Sequence, residues 1–179
     1  MRKIEKIIIP SSVTKIGKKA FSECISLEEI SIPFSVKFIC DEAFNSCKSL
    51  KKVHIEIPSS LISIGYKSFY FCKSLIQINL PSPLTSIEEC AFAYCSSLIQ
   101  IAIPSSVIKI SDSAFYECSS IKQITIPPSV TLIGEYAFDE CKSLKQITIP
   151  SSITQIKNYT FQGCSALTEI SIPSSITSI

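Results

Sequence analysis

Cysteine is the residue type in this chain whose spacing could do chemistry, since thiolates bind metals, form disulfides and act as nucleophiles. The chain has nine Cys and one His in 179 residues. No C-x-x-C pair occurs, and His54 is the only side chain that could add a nitrogen ligand, so a metal site is not favoured. Seven of the cysteines instead recur at near-equal intervals: Cys24, Cys47, Cys72, Cys95, Cys118, Cys141 and Cys164.

Repeating units that stack on one another would arrange these cysteines as a ladder. Neighbouring Cα atoms would be about 4.8 Å apart if the units pair as β-strands, and that separation permits a disulfide. Parallel side chains, however, would hold the Cβ atoms farther apart than the ~3.8 Å that a disulfide prefers. Small buried thiols are therefore favoured, with disulfides between units as the alternative, and we expect no metal or other cofactor.

Hydroxyl and carboxylate side chains give no stronger indication of catalysis. A serine nucleophile needs a base, and a chain with one His and no G-x-S-x-G motif offers little. The carboxylate pairs Glu28/Glu29 and Glu88/Glu89 are sequence neighbours, which point to opposite faces of a strand. We therefore predict that the protein is not an enzyme. The recurrent serines are predicted to bond to backbone groups at corners: Ser12, Ser35, Ser60, Ser106, Ser129, Ser152 and Ser175.

Two more residue types follow the rhythm of the cysteines and define an internal repeat. The interval is 23 residues, apart from one of 25 near His54. A proline recurs at Pro10, Pro33, Pro58, Pro81, Pro104, Pro127, Pro150 and Pro173. A phenylalanine recurs at Phe21, Phe44, Phe69, Phe92, Phe115, Phe138 and Phe161. We predict one domain over 1–179, with seven complete repeats at 4–26, 27–49, 50–74, 75–97, 98–120, 121–143 and 144–166 and a partial eighth at 167–179.

Each repeat predicts one coil of a solenoid. Segments such as LKQITIP (144–150) alternate apolar and polar residues, which indicates a short strand that ends at the proline. SSVTKI (11–16) predicts a second short extended segment, and KKAFSEC (18–24) a tight helical turn. A single repeat is too small to bury its apolar side chains alone, so the repeats must stack. The predicted fold is a mostly β solenoid of parallel stacked strands, with no long helices and with Phe and Cys ladders inside.

The repeat resembles the 23-residue leucine-rich repeat of the BspA-like, or Treponema pallidum-type, family. The resemblance is carried by LEEISIP, SVTKIG, KAF and the closing Cys, and it covers essentially the whole chain. It implies a curved, right-handed coil whose strands form a parallel sheet on the concave face. The glycine that usually follows the second Ile in this family survives only at Gly17, Gly65 and Gly134. Members include surface proteins implicated in adhesion, so the resemblance implies a non-enzymatic recognition module whose partner is a protein or a glycan.

The outward positions of the predicted strands are where this scaffold leaves the residue type open. They are polar and small and include no Arg or aromatic residue, whereas tight protein interfaces favour Trp, Tyr and Arg. Weak or multivalent binding over a broad face fits this composition. The candidate binding residues are Glu29, Lys51, Lys52, Gln77, Gln100, Lys122, Gln123, Lys145, Gln146 and Glu169. The tyrosines near the repeated Phe are predicted to decorate the turn side of the coils: Tyr66, Tyr70, Tyr94, Tyr116, Tyr136 and Tyr159.

Charge and hydropathy exclude other classes of partner. With 17 basic and 15 acidic residues the net charge is +2, which gives no case for nucleic acid, and the basic start around Arg2 and Lys3 is interpreted as a solvated end. No run approaches the ~20 apolar residues of a membrane span, and MRKIEKIIIP lacks the apolar stretch of a secretory signal. We expect no membrane insertion. The chain alone predicts a cytoplasmic location; the cell surface or secretion is the alternative if it is part of a longer protein.

An intracellular scaffold that acts through self-association or other protein–protein contacts is the alternative function. Solenoids normally finish in atypical polar caps, yet this repeat begins in register at Ile4 and stops in mid-unit at Ile179. Bare ends would expose apolar side chains such as Ile170, Ile172 and Ile176. A homo-oligomer formed through uncapped ends is therefore a further expectation.

Overall fold

The computed structural model describes residues 5–179 of the chain. The predicted solvated residues Arg2 and Lys3, and the first residue of the first repeat, lie outside the described residues. We number the coils 1 to 8 in the order of the predicted repeats. The described part of the chain contains 13 short strands, all paired in parallel, and no helix. This confirms the mostly β solenoid.

In every coil except coil 6 a longer strand precedes the recurrent proline, and it pairs in parallel with the equivalent strand of a neighbouring coil. Five of these strands form one sheet: β1 (Lys6–Ile8), β3 (Glu29–Ile32), β5 (Lys52–Ile55), β7 (Gln77–Asn79) and β9 (Gln100–Ala102). A second sheet joins β12 (Gln146–Thr148) to β13 (Glu169–Ser171). In β3, Ile30 and Ile32 are buried while Glu29 and Ser31 are exposed, because successive side chains of a strand point to opposite faces.

A two-residue strand follows each proline corner in most coils. One sheet contains β2 (Lys15–Ile16), β4 (Phe38–Ile39) and β6 (Ser63–Ile64), and another contains β8 (Ser86–Ile87), β10 (Lys109–Ile110) and β11 (Leu132–Ile133). The last residue of each is a buried Ile. Two strands per coil therefore line two sides of the core.

The third side of each coil is a chain of turns in which alternate amides bond within and between coils. In coil 1 the amide of Ala20 donates to Gly17 O at 3.2 Å, whereas the amide of Phe21 donates to Ala43 O of coil 2 at 2.8 Å. In the segment predicted as a helical turn, about half of the backbone amides therefore donate to carbonyls of the next coil instead of closing a turn within their own coil. Two residues in each such turn, for example Lys19 (φ 57°) and Glu23 (φ 61°), have left-handed backbone.

The recurrent phenylalanines form a continuous stack through the core. Consecutive rings lie with centroids 5.2–5.7 Å apart and planes within 16° of parallel. Phe92 and Phe115, for example, are both fully buried and 5.7 Å apart. Each isolated repeat would leave its ring exposed on two sides, so the stack explains why the repeats require one another.

The serine that follows the proline by two residues does bond to backbone. Ser35 Oγ donates to Val13 O at 2.7 Å, Ser106 Oγ to Leu84 O at 2.6 Å and Ser129 Oγ to Val107 O at 2.7 Å. Each acceptor belongs to the preceding coil. The predicted structural role of these serines is confirmed at those positions.

Gly65 and Gly134, which follow the buried Ile of the two-residue strand, lie very close to the backbone of the preceding coil. The backbone of Gly65 is not left-handed, but a Cβ there would lie 2.6 Å from Asp41 Oδ1 and 2.8 Å from Asp41 N. The same carboxylate oxygen accepts the Tyr66 amide at 3.1 Å. Gly134 and Asp112 repeat this arrangement. A Cβ on Gly17 would meet nothing within 4 Å, so that glycine is not demanded by packing.

Candidate functional site

We call the outward side of the longer strands, together with the exposed position directly before it, the strand face. All ten candidate binding residues are exposed there, six of them within strands. Strand register aligns Glu29 with Lys52, Lys52 with Gln77, and Gln77 with Gln100. Gln123 bridges Gln146, which aligns with Glu169. Lys51, Lys122 and Lys145 occupy the position before this row in their own coils. The structure therefore aligns seven of the residues in two parts of one row and leaves three lysines exposed beside it. The ten are Glu29, Lys51, Lys52, Gln77, Gln100, Lys122, Gln123, Lys145, Gln146 and Glu169.

Charged side chains lie at coils 2 and 3 of the strand face, whereas its central coils carry neutral side chains. In coils 2 and 3, Lys51 Nζ lies 2.9 Å from Glu28 Oε2 and Lys52 Nζ lies 3.6 Å from Glu29 Oε1. The expectation that neighbouring carboxylates point to opposite faces of a strand was wrong, because Glu28 precedes β3 and Glu88 and Glu89 follow β8 and line one shared cleft. The hydrogen bond to Glu28 raises the pKa of Lys51. Coils 4 and 5 present neutral Gln77 and Gln100 beside half-exposed Ile76 and Ile99. The centre of the face therefore offers amides and aliphatic surface rather than charge.

A cleft of about 470 Å³ opens on the strand face between coils 5 and 6. Gln100 and Ala102 line one wall, and Lys122, Gln123 and Thr125 line the other. The cleft lies where the strand ladder is interrupted. Among the described residues, no backbone hydrogen bond links 99–103 to 122–126. Backbone N–H and C=O groups in this gap can therefore bond to a ligand or to water.

The two coils remain stacked away from the cleft. Strand β10 of coil 5 pairs with β11 of coil 6, and the rings of Phe115 and Phe138 are 5.5 Å apart. Ile101 and Ile124, which lie beneath the cleft, are buried. The interruption is therefore local to the outward strand edge, and the cleft has an apolar floor and polar walls.

A second cleft, of about 230 Å³, lies between coils 3 and 4. Lys52, His54, Gln77 and Asn79 contribute to its lining. Here the pairing of β5 with β7 covers only two residue pairs and ends at Val53 and Ile78. The two extra residues of this repeat follow, so the irregular unit that the sequence identified lies at the edge of this cleft.

The strand face is suited to hydrogen bonding and not to acid–base chemistry. Its central groups are neutral amides, hydroxyls and backbone groups, which pair with peptide groups or with sugar hydroxyls. His54 shares its cleft with Lys52 and has no carboxylate in that lining. Within residues 5–179 no three His, Cys, Asp or Glu side chains converge as metal ligands would.

The cysteine ladder is part of the core and has a role that the sequence did not suggest. All nine cysteines are free thiols. From coil 2 to coil 7, each ladder Sγ donates to the carbonyl of the phenylalanine in the preceding coil at 3.0–3.3 Å, as Cys118 does to Phe92 at 3.1 Å. Burial raises the pKa of Cys47 to about 12 and that of Cys164 to about 11. Thiols held protonated are poor nucleophiles.

One buried carboxyl group lies on the turn side, well away from the strand face. Asp139 is only 2% exposed, and burial raises its pKa. Its Oδ1 atom has no hydrogen-bond partner among the described residues. Glu117 and Glu140, which raise the pKa further, belong to the same turn surface. None of these three carboxyls lines either cleft of the strand face, and we assign the group no catalytic role.

Apolar side chains at the first and last described coils are less buried than their equivalents inside. Val13 and Phe21 in coil 1, and Ile170 and Ile176 in coil 8, are only partly buried. Ile172 is 44% exposed. Association through these faces stays a prediction.

Comparison with protein families finds one match that covers the chain. The family is described as BspA type Leucine rich repeat region, with 6 copies, and the matched residues are 1–107 and 85–179. Comparison with curated proteins gave no match. No helix within residues 5–179 is long and apolar enough to cross a membrane.

Solved structures of leucine-rich repeat proteins share this fold. A leucine-rich repeat protein from Bacteroides ovatus is 34% identical, with a TM-score of 0.89, and the match covers 96% of this chain and 46% of that one. The T. pallidum Leucine Rich Repeat protein is 28% identical, with a TM-score of 0.68, over 95% and 70% of the two chains. A leucine rich cell surface protein from Faecalibacterium prausnitzii is 26% identical, with a TM-score of 0.64, over 99% and 66%. The chain thus spans less than half the length of the first of these proteins.

Proposed function

This chain belongs to the BspA-type leucine-rich repeat family, and we propose that it is a non-enzymatic binding module that recognises a protein or a glycan on its strand face. The observation that carries the proposal is the cleft between coils 5 and 6. The same two coils stack through β10 with β11 and Phe115 with Phe138, so the cleft is a local opening in an otherwise continuous stack.

The chemistry of the cleft supports a polar, uncharged ligand. Gln100 and Gln123 offer amide donors and acceptors from opposite walls, and Thr125 adds a hydroxyl. Exposed backbone groups add further donors and acceptors between these walls. Polypeptide backbone and sugar hydroxyls both match this set, because each presents donors and acceptors in alternation. The single ammonium, Lys122, lies at one side of the cleft.

Adhesion or recognition at a cell surface is the biological setting that we propose. The Faecalibacterium prausnitzii relative is described as a cell surface protein, and a broad face without Arg or aromatic anchors suits weak, multivalent contact. The match to the Bacteroides ovatus protein covers under half of that protein, so the proposal concerns this chain as one binding module. Several weak modules acting together would bind with higher avidity than one.

The test uses the 179-residue chain on an array of neutral oligosaccharides and on an array of 15-residue peptides. We expect binding to members of at least one array. Ala102→Arg should abolish that binding, since the new side chain fills the cleft from an exposed position. Ser171→Arg adds the same charge at the equivalent exposed position of coil 8, whose strand partner Thr148 lines neither cleft, and should leave binding unchanged. Absence of binding on both arrays, or equal loss in the two variants, would contradict the proposal.

A further inference from the structure

The turn side of coils 3 to 5 carries a cluster of aromatic side chains that neither the core nor the strand face uses. Phe71 and Tyr94 stack with centroids 4.3 Å apart. Tyr70 meets Tyr94 edge-on at 5.3 Å, and Tyr94 meets Tyr116 edge-on at 5.2 Å. All four rings are partly exposed. We call these four residues the aromatic cluster.

The scaffold does not require aromatic residues at these positions. The residue two after the recurrent Phe is Ser46 in coil 2, Glu117 in coil 5 and Gly163 in coil 7. In every coil it has left-handed backbone, with φ 60° at Phe71 and 62° at Tyr94. A bulky side chain is strained in this conformation, whereas glycine is not. The backbone conformation therefore disfavours bulky rings at Phe71 and Tyr94, and other coils do without them, which points to a role outside folding.

Two lysines lie against the rings. Lys67 Nζ is 5.0 Å from the centroid of Tyr66 and 4.9 Å from that of Tyr70, and Lys73 Nζ is 5.0 Å from that of Phe71. Neither ammonium lies within ion-pair distance of a carboxylate in the described part of the chain. The positions equivalent to Phe71 and Tyr94 in coils 5 and 6 are acidic, Glu117 and Glu140. Glu140 pairs with Lys142 at 3.0 Å. Positive charge is thus concentrated at the coil 3 end of the aromatic cluster.

The way in which the rings pack determines the class of ligand. Sugars usually stack on free aromatic faces, but Phe71 and Tyr94 each cover one face of the other, and lysine ammonium groups lie over Tyr66, Tyr70 and Phe71. The four rings of the aromatic cluster nevertheless remain partly exposed. Apolar side chains of a polypeptide can contact them, and partly buried, preorganised Tyr and Phe are typical anchors of protein interfaces.

We propose that the aromatic cluster, with Lys67 and Lys73, is a second binding surface, whose ligand is an acidic polypeptide segment that also carries apolar side chains. The carboxylates pair with the two ammonium groups, and the apolar side chains contact the exposed parts of the rings. This surface is independent of the strand face, so its ligand need not be the ligand of the cleft.

The test is binding of a random Glu–Tyr copolymer in a 4:1 ratio, measured by interferometry with the 179-residue chain immobilised. We expect binding that weakens as salt rises, because exposed ion pairs are screened. Polyglutamate, which lacks apolar side chains, and a Lys–Tyr copolymer of reversed charge should each bind at least tenfold more weakly. Dextran sulfate is the anionic glycan arm and should also bind at least tenfold more weakly.

The variants use residues that equivalent coils already carry, so the fold tolerates them. Phe71→Ser copies Ser46, Tyr94→Glu copies Glu117 and Lys73→Ser copies Ser96. Each should weaken copolymer binding about tenfold or more, while Ala102→Arg on the strand face should leave it unchanged. The proposal is overturned if the copolymer does not bind, if Phe71→Ser binds it as well as the original chain, or if dextran sulfate binds equally well at the same residues.

Discussion

Replacement of Phe115 by alanine is the sharpest test of the stacked core. Phe115 is fully buried and lies between two parallel rings, 5.7 Å from Phe92 and 5.5 Å from Phe138. Phe161 has the same position in coil 7 but is only partly buried and has one ring neighbour in the stack, Phe138 at 5.7 Å. The two residues therefore share chemistry and local sequence and differ in how many coils cover them.

The magnitudes follow from burial and from the number of stacked neighbours. A fully buried Phe→Ala substitution costs about 3–5 kcal/mol, and each aromatic pair contributes about 0.5–1.5 kcal/mol beyond its area. We expect Phe115→Ala to lower the free energy of unfolding by about 4–5 kcal/mol. Phe161→Ala, with a partly exposed ring and one pair lost, should cost about 2 kcal/mol. Phe38 is 40% exposed, so Phe38→Ala should lower the free energy of unfolding by less than about 0.5 kcal/mol.

Urea unfolding followed by far-ultraviolet circular dichroism measures the three variants on one scale. The expected order of midpoints is Phe38→Ala, then Phe161→Ala, then Phe115→Ala, from highest to lowest. The slope with urea should be unchanged, since the exposed area on unfolding is nearly the same. Equal losses for Phe115→Ala and Phe161→Ala would refute the reasoning, because they would show that cover from both sides adds nothing to a ring in this stack.

Further predictions concern close contacts and buried thiols. Gly65→Ala should destabilise the protein by about 1–3 kcal/mol, because the new Cβ would meet Asp41. The matched Gly17→Ala, whose Cβ meets nothing, should be neutral or stabilising by up to about 1 kcal/mol. The reverse order of unfolding midpoints in a urea titration would contradict the close approach of Asp41 to Gly65. In the native protein the five buried ladder cysteines should resist a thiol reagent at pH 8, whereas the denatured chain should yield all nine thiols; nine equivalents from the native state would argue against the buried ladder. Because burial raises the folded pKa of Cys47 from 9.0 to about 12, its contribution to stability is complete below pH 9 and is lost between pH 9 and about 12; an unfolding midpoint that stays level or rises over that interval would be inconsistent with a buried Cys47.

Most of the fold was predictable because each residue type has the same neighbours in every coil. The common interval of Pro10, Phe21 and Cys24 with their equivalents implies stacked copies, and stacking places Phe against Phe. The alternation in LEEISIP correctly separates buried Ile30 from exposed Glu29. The row from Glu29 to Glu169 follows from this alternation, whereas Lys51, Lys122 and Lys145 precede the row and are exposed for a different reason, and the role of all ten in binding stays a proposal.

The turns were less predictable, since their conformation depends on bonds to the next coil. Left-handed residues lie two and six positions after the expected glycine and include Lys19, Glu23 and Tyr136, none of which signals positive φ in a sequence. The amides of Lys19 and Glu23 bond to carbonyls of coil 2, so neighbouring backbone helps to hold this geometry. The thiol bonds of the cysteine ladder likewise depend on where a carbonyl of the preceding coil points.

The break in the strand ladder could not be derived from local patterns. IKQITIP in coil 6 alternates as regularly as its neighbours, and the adjacent Pro127 and Pro128, the only Pro–Pro pair in the chain, are the one local signal near it. Whether two strands pair depends on the relative displacement of whole coils, which all their contacts set together. The aromatic cluster could not be derived from local patterns either, because Tyr70, Tyr94 and Tyr116 are distant in sequence and meet only when three coils stack.

The amino-acid sequence by itself determined the repeat, the identity of the core ladders and the face on which variable residues lie. These properties follow from periodicity, because an equal spacing of apolar residues has one compact solution when each unit shields the next. Tertiary structure alone decided where the coils separate, which rings meet on the turn side and which carbonyl each thiol bonds. Those features depend on angstrom-scale offsets between coils, which arise from the sum of many contacts and which no single repeat contains.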